Sequence, residues 1–509
     1  MRIRHLSVAL VFAVLVAGDA TAQQTGAPPA PNGAATAAPA VRTARPQNPA
    51  IVLFNNSCSS CHGTTLAGAR GPSLFTDSFL SKNSDDAILH TVQNGIADGG
   101  MPAFKDQFSE EQIRQVIAYL RIQGGRLKDH PPFVPDPNGQ VIKSQKQTFK
   151  IEVVAAGLDT PWGEAFLPDG RMLVTERSGP LRIIDHGKLL AQPVAGTPKV
   201  FVRQDGGMLD VAVHDGWVYL SYTEVKPGVT PAPNSETAPN PAPPTMTVLV
   251  RGHIQGNAWV DNQVIFRAPP DLYTTTSDHY GSRFAFDKEG HMFYSLGERH
   301  HMQNAQDLTV PLGKIHRVNP DGTPLADNPF VNTPGADPTI WSYGHRNPEG
   351  LAFDPVTGNL WESEHGPTGG DEINIIRKGH NYGWGVVSMG LEPGITHQHQ
   401  AGMDDPIAYY TPTIAPSGMS FYSGDRYPGW KNNLFVAALA GQELLRLEIS
   451  GEKIVSQEAV FKEYGRVRDV ITGPDGLLYV LLQNPTGSGT GLALSAATAG
   501  MVIRLVPVQ

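Results

Sequence analysis

Six times between Phe166 and Val480 the chain repeats one short pattern: an apolar strand end, a tight turn, a second apolar strand. The copies are 166–176, 211–221, 284–295, 351–361 and 470–480, with a looser one running from Met419–Tyr422 to Asn433–Ala437. Asp169-Gly170, Asp215-Gly216 and Lys288-Glu289-Gly290 stand at turns, and such pairs between alternating apolar segments specify hairpins. A lone hairpin cannot bury its apolar face, so repeated units must stack. Starts spaced by roughly 45 to 75 residues leave room for two more strands per unit. The pattern predicts a six-bladed β-propeller, mostly β, over residues 148–509. Helical periodicity is almost absent there, which speaks against an α/β enzyme. Propeller loops converge at one mouth of the central channel, so chemistry is expected at that mouth.

A chain of 509 residues exceeds one core, and its cysteines mark a second domain. Both lie in Cys58-Ser59-Ser60-Cys61-His62. A C-x-x-C-H run attaches a c-type haem: the thiols form thioethers, and the histidine ligates iron. A zinc site wants four soft ligands, and no second cysteine pair exists. A thioredoxin-like pair needs no His62 and sits in a βαβ pattern absent here. Met101, in Gly99-Gly100-Met101-Pro102-Ala103-Phe104, is the expected second axial ligand. A thioether there raises the haem potential, which suits an electron acceptor. A core role for Met101 is the alternative, and His90 the other candidate ligand. A helix is predicted from the N-cap Ser109, with Glu110 and Glu111 in its first turn and Ile113, Val116, Ile117 and Leu120 on one face. Gly124-Gly125 is expected to end it. Residues 48–126 resemble a small, all-α bacterial class I cytochrome c, in which a Gly-Met-Pro loop precedes the C-terminal helix.

Residues 1–22 read as a cleavable signal peptide: basic Met1–His5, apolar Leu6–Ala17, and Ala20-Thr21-Ala22 before Gln23. No later stretch is long and apolar enough to span a membrane. The expectation is a periplasmic protein without a transmembrane segment. Residues 23–47, rich in Ala and Pro, read as a tether, and 127–147 as the interdomain linker. The net charge of −9 argues against a nucleic-acid partner. The proline-rich stretch 226–245 reads as a solvated loop. His300-His301 and His397-Gln398-His399 read as solvated loop histidines, with metal binding the alternative.

Several motifs then stand in order: Ser277-Asp278-His279-Tyr280-Gly281-Ser282-Arg283, Gly344-His345-Arg346-Asn347-Pro348-Glu349-Gly350, Glu364-His365-Gly366-Pro367, Gly370-Asp371-Glu372-Ile373-Asn374, His380-Asn381-Tyr382-Gly383-Trp384 and Arg466-Val467-Arg468-Asp469. Over about residues 150–509 this set resembles the glucose/sorbosone dehydrogenases, the family of soluble sugar dehydrogenases that use pyrroloquinoline quinone (PQQ). The resemblance implies that His279 is the general base on the sugar hydroxyl, with Asp278 orienting its ring. Arg346 and Asn347 then lie beside the quinone. Arg466 and Arg468 are implied as the paired arginines, whose planar forks suit carboxylates. Gly366 and Pro367 imply backbone carbonyls for the Ca²⁺ at PQQ, a hard cation that takes oxygen ligands. Asp371, Glu372 and Tyr382 resemble the surroundings of a second, structural calcium. Asp205 falls where the family has a glutamine or acid before Gly-Leu-Leu.

Two departures matter. Ala440 stands where the family has a quinone-contacting lysine, so either PQQ affinity falls or a shifted residue such as Arg446 compensates. Thr411 replaces an aromatic, which leaves Tyr410 to stack. The reading is a periplasmic quinohaemoprotein that oxidises an aldose or related aldehyde to lactone or acid. Its tethered haem would take the electrons and pass them to a periplasmic cytochrome or oxidase. The competing readings are a propeller that has lost PQQ and serves as a binding protein, and a calcium-dependent sugar lactonase.

Overall fold

The computed structural model describes residues 49–62, 66, 74, 83–96, 101–129, 136–232, 242–483 and 500–508. The expected signal peptide and tether, Gly99-Gly100 and the middle of the proline-rich loop lie outside the described residues.

Six antiparallel sheets follow one another along the chain. Their first strands are Pro161–Phe166, Met208–His214, Phe284–Phe286, Pro348–Phe353, Pro416–Phe421 and Arg466–Thr472, for blades 1 to 6. These strands pack on one another around an axis, giving the six-bladed β-propeller. Each sequence repeat is the first hairpin of a blade: the pairs nearest the turns are Phe166 with Met172, His214 with Trp217, Phe286 with Met292, Phe353 with Leu360, Phe421 with Leu434, and Thr472 with Leu478. The ring closes through its ends. Thr148–Leu158 pairs with Gly500–Pro507 in blade 6, so neither terminal strand leaves a bare inner edge.

The core is a ring of seams between blades. Leu173, Leu181, Leu220 and Val250 fill the seam of blades 1 and 2, and Trp361 meets Phe421 edge-on between blades 4 and 5. Each such side chain removed from water contributes about 1.5–3 kcal/mol, which is what holds neighbouring blades face to face.

The N-terminal region is helical: Pro49–Ser57, prolonged by the turn Ser59–His62, then Asp85–Asn94 and Glu110–Asp129. Ser109 and Gln112 cap the last helix reciprocally, Gln112 N–H donating to Ser109 Oγ at 3.2 Å and Ser109 N–H to Gln112 Oε1 at 2.8 Å. Ile113, Val116, Ile117 and Leu120 are its buried face. The helix runs through Gly124-Gly125 to Asp129, past the expected stop. Two glycines cost about 1 kcal/mol each but do not bar a helix. The sequence first forbids one at Pro131. Part of the expected linker is also a strand, Val141–Lys143, paired with the start of Thr148–Leu158. Among the described residues, no helix is long and apolar enough to cross a membrane.

A candidate active site at the mouth of the propeller

Strand direction decides which side chains meet. In an antiparallel blade, the start of the first strand and the end of the second share one end of the sheet. Asp205, His279, Arg346 with Asn347, and Arg466 stand at the starts of first strands. Arg177, Glu298, Glu364–Pro367 and Ala440 follow or close second strands. All therefore collect at one mouth of the channel.

His279 is buried and holds a left-handed backbone, φ 54°, which a histidine tolerates only at a cost. Its Nδ1 lies 2.8 Å from Glu298 Oε1. The approach is close: a Cβ on Gly297 would stand 2.2 Å from the His279 carbonyl oxygen, so only glycine lets these two loops meet. The sequence reading expected Asp278 to orient the ring. In the structure the carboxylate on Nδ1 is that of Glu298, while the Asp278 carboxylate lies 3.0 Å from His300 Nε2. Asp278 nevertheless stays close: one ligand atom each of Asp278, His279 and His300 lies within 4.8 Å of the others. Burial raises the Glu298 carboxyl above its ordinary range, while Arg346 and His300 oppose that.

Four buried or half-buried guanidinium groups stand at the same mouth as His279. Arg346 donates to the His365 carbonyl at 3.1 Å and lies over Trp384. Asn347 accepts from Gly281 N–H at 3.0 Å and donates to Glu349 at 3.1 Å. Arg468 pairs with Glu349 at 2.5 Å. Burial would raise the Glu349 carboxyl, but His365, Arg468 and Arg283 together hold it down at about 2. Burial pulls Arg177 and Arg466 down to about 10, with Arg468 adding to both and Asp205 opposing both. Among the described residues, Nε of Arg177, Arg346, Arg466 and Arg468 has no hydrogen-bond partner. A crowd of buried cations with unmatched donors fits a flat, multiply carboxylated ligand.

Beside them is a cavity of ≈ 10 Å³, enough for one water or ion. Gly366, Pro367, Glu364, Glu372 and Tyr382 line it. Glu362 faces Asn374 and Glu364 faces Glu372 across adjacent strands of blade 4, so all four share one face. His345, Glu362 and Glu364 place ligand atoms within 4.8 Å of one another. Burial first, then the neighbouring Glu364 carboxylate, pushes Glu362 and Glu372 well above the carboxylate range. Among the described residues, Glu362 Oε1 and Asn374 Oδ1 have no hydrogen-bond partner, and His345 Nδ1 lies 3.5 Å from Glu364 Oε1. This is the donor set of a hard cation. Asp371 stands apart from it: its carboxylate accepts from Gly366 N–H at 2.9 Å, Ile414 N–H at 2.6 Å and Ala415 N–H at 2.8 Å, and so shapes the Gly366 turn. The Tyr382 hydroxyl donates to the Ile375 carbonyl at 2.6 Å.

Arg446 does not stand in for the lysine missing at Ala440. It is buried within blade 5, bonded to Glu458 at 2.6 Å and to Asn433 and Gln145. Tyr410 sits on the outer strand of blade 4, with its hydroxyl on Gln457. Sequence reasoning also missed Arg177, Glu298, Glu362 and Glu364. The signal available was position, since Arg177, Glu298 and Glu364 end or follow an apolar second strand and Glu362 lies within one, where a charge has no structural need to be.

In the N-terminal region, Cys61 N–H and His62 N–H both donate to the Cys58 carbonyl, so the three residues share one face of a helical turn. Met101 is held in a tight return by paired backbone bonds with Ile96. A Cβ on Gly95 would stand 2.5 Å from the Met101 carbonyl oxygen.

Comparison with known proteins agrees with this geometry. The profile of the family described as Glucose / Sorbosone dehydrogenase matches residues 158–493, and that of Cytochrome C oxidase, cbb3-type, subunit III matches 49–120. Aldose sugar dehydrogenase YliI of Escherichia coli strain K12 is 38% identical over 359 residues, covering 67% of this chain and 91% of its own. The PQQ-bound aldose sugar dehydrogenase from Streptomyces coelicolor superposes with a TM-score of 0.54 at 27% identity, over 73% of this chain and all of that one. At the N-terminus, cytochrome c6 of Leptolyngbya boryana is 35% identical over 71 residues, 13% of this chain and 81% of its own.

Proposed function

The chain belongs to the glucose/sorbosone dehydrogenase family, and on that footing we propose that it is a periplasmic dehydrogenase oxidising an aldose or related aldehyde, with PQQ and Ca²⁺ at the mouth and a haem c in the N-terminal region. The observation that carries the reading is the set of buried guanidinium groups with unmatched Nε donors around a carboxylate-backed histidine. Arg177, Arg346, Arg466 and Arg468 would hold the cofactor's carboxylates and quinone oxygens. The Gly366 and Pro367 carbonyls would face its calcium. When bound, PQQ supplies a two-electron acceptor and Ca²⁺ a Lewis acid beside it.

The protein's own part is the proton. Glu298 on Nδ1 keeps the ring proton there and makes Nε2 the basic nitrogen, which takes the hydroxyl proton of the sugar. The substrate gives up that proton and two electrons with its C–H hydrogen. Cys58, Cys61, His62 and Met101 would hold the one-electron haem that receives the electrons singly.

The test uses the full chain with PQQ and Ca²⁺ added, followed at the haem α-band as an aldose is introduced. Reduction is expected. An oxidised haem with both cofactors bound overturns the reading. Failure of PQQ to bind favours the binding-protein alternative that Ala440 suggests, and hydrolysis of a lactone favours the lactonase.

Two further outcomes follow. Met101→Ala should abolish the sulfur-to-iron band at the red end of the oxidised spectrum. A band that survives assigns the sixth ligand elsewhere, with His90 next to be tried. The acidic cluster predicts a calcium- and pH-linked stability. Glu362 and Glu372 keep protons in the folded state that the unfolded chain releases. Metal-free protein should therefore lose stability as pH rises above the ordinary carboxylate range, near 4.5. Ca²⁺ prefers the ionised carboxylates, so its stabilisation should grow over the same range. Thermal midpoints from pH 5 to 9, with chelator or Ca²⁺, measure this; parallel curves would refute it.

A further inference from the structure

His300 was expected to be a solvated loop histidine, yet its ring lies 4.1 Å from that of His279, at 17° to it. It is 37% exposed, while its partner Asp278 is buried. Its Nε2 is 3.0 Å from Asp278 Oδ2. Its backbone, φ 57°, and that of Arg299, φ 62°, are left-handed, like that of His279. Three such residues at one corner store strain that the surroundings must over-determine. Arg299 does so: fully buried, it donates to the Asp278 and Thr276 carbonyls at 3.0 and 2.5 Å and covers the Tyr280 ring.

We propose that His300 is a positioning residue for the base, a second imidazole that clamps the plane of the His279 ring against Glu298 and, when protonated, keeps His279 from retaining its proton. The inference rests on the base role assigned above. Stacking fixes the one rotation that the hydrogen bond to Glu298 leaves soft. A positive charge at this distance disfavours the imidazolium of His279. The charged groups facing the pair are Asp278 and Glu298, Arg299 beside them, Arg346 across the mouth, and Glu392, whose carboxyl is raised by burial and opposed by Arg346 and His300.

The test compares wild type with His300→Phe, which keeps a flat ring, and His300→Gln, which keeps neither ring nor charge. Turnover at saturating PQQ is measured against pH, together with the histidine ring carbon NMR titration of the same full-length proteins without quinone. In both variants the acid limb of kcat/KM, and the His279 titration, should move up by about one pH unit. At its plateau, kcat should hold in His300→Phe and fall about tenfold in His300→Gln. An unmoved limb and an unmoved titration in both variants overturn the proposal. A wild type that titrates as described but oxidises no sugar instead condemns the base role itself.

Discussion

At saturating PQQ, His279→Ala should turn over two to four powers of ten more slowly than wild type while binding the quinone as well. The expectation follows from the separation of tasks at the mouth. His279 is bound to Glu298 and stacked on His300. At the mouth, Arg177, Arg346, Arg466 and Arg468 each keep an Nε without a hydrogen-bond partner among the described residues, and these would hold an anionic ligand. Removing the base leaves those cations in place. Arg466→Ala and Arg468→Ala should show the opposite pattern, weakening PQQ first and recovering turnover as PQQ is raised. Glu298→Gln should fall between, because an amide can bond Nδ1 but cannot stabilise the imidazolium. Normal turnover by His279→Ala places the base elsewhere. Loss of PQQ binding in that variant makes His279 part of the cradle.

The largest effect on stability is expected at Arg283. This residue lies on the channel axis, 2.9 Å from Asp210 and 2.8 Å from Asp469, with Nε on the Glu349 carbonyl and its fork over Trp162. It belongs to the motif Asp278–Arg283, but its contacts tie blades 1, 2, 3, 4 and 6 together. Arg283→Met leaves two buried carboxylates without their counter-charge, a loss of about 3–5 kcal/mol. Burial already pushes the Asp210 carboxyl up to about 7, with Arg283 opposing. Without Arg283 it should rise further. Below its folded pKa the group is neutral and the penalty absent, so the deficit should be small at pH 5 and grow toward pH 8. Denaturant midpoints at both pH values measure it. Adding Asp210→Asn and Asp469→Asn to Arg283→Met should recover most of the loss, and a triple variant as unstable as the single one would show that packing on Trp162, not charge, is what Arg283 supplies.

What the chain alone determined was what depends on local order. Turn pairs such as Asp169-Gly170 and Asp215-Gly216 mark hairpins because glycine's freedom is a property of one residue, and six hairpins need one another to bury their faces. The C-x-x-C-H run is likewise local, since one helical turn aligns Cys58, Cys61 and His62. The tertiary structure decided everything that depends on which loop meets which. Glu298, nineteen residues beyond His279 and on the far side of a strand pair, is the carboxylate on its ring. Arg177 from blade 1 joins Arg466 and Arg468 from blade 6 only because the ring closes between them. Arg446 and Asp371 look available in sequence and are occupied in space, by Glu458 and by three backbone N–H groups. A charged side chain's partner is set by distance in three dimensions, and Coulomb attraction and hydrogen bonding fade within a few ångströms. No spacing along the chain encodes that distance until the blades have closed.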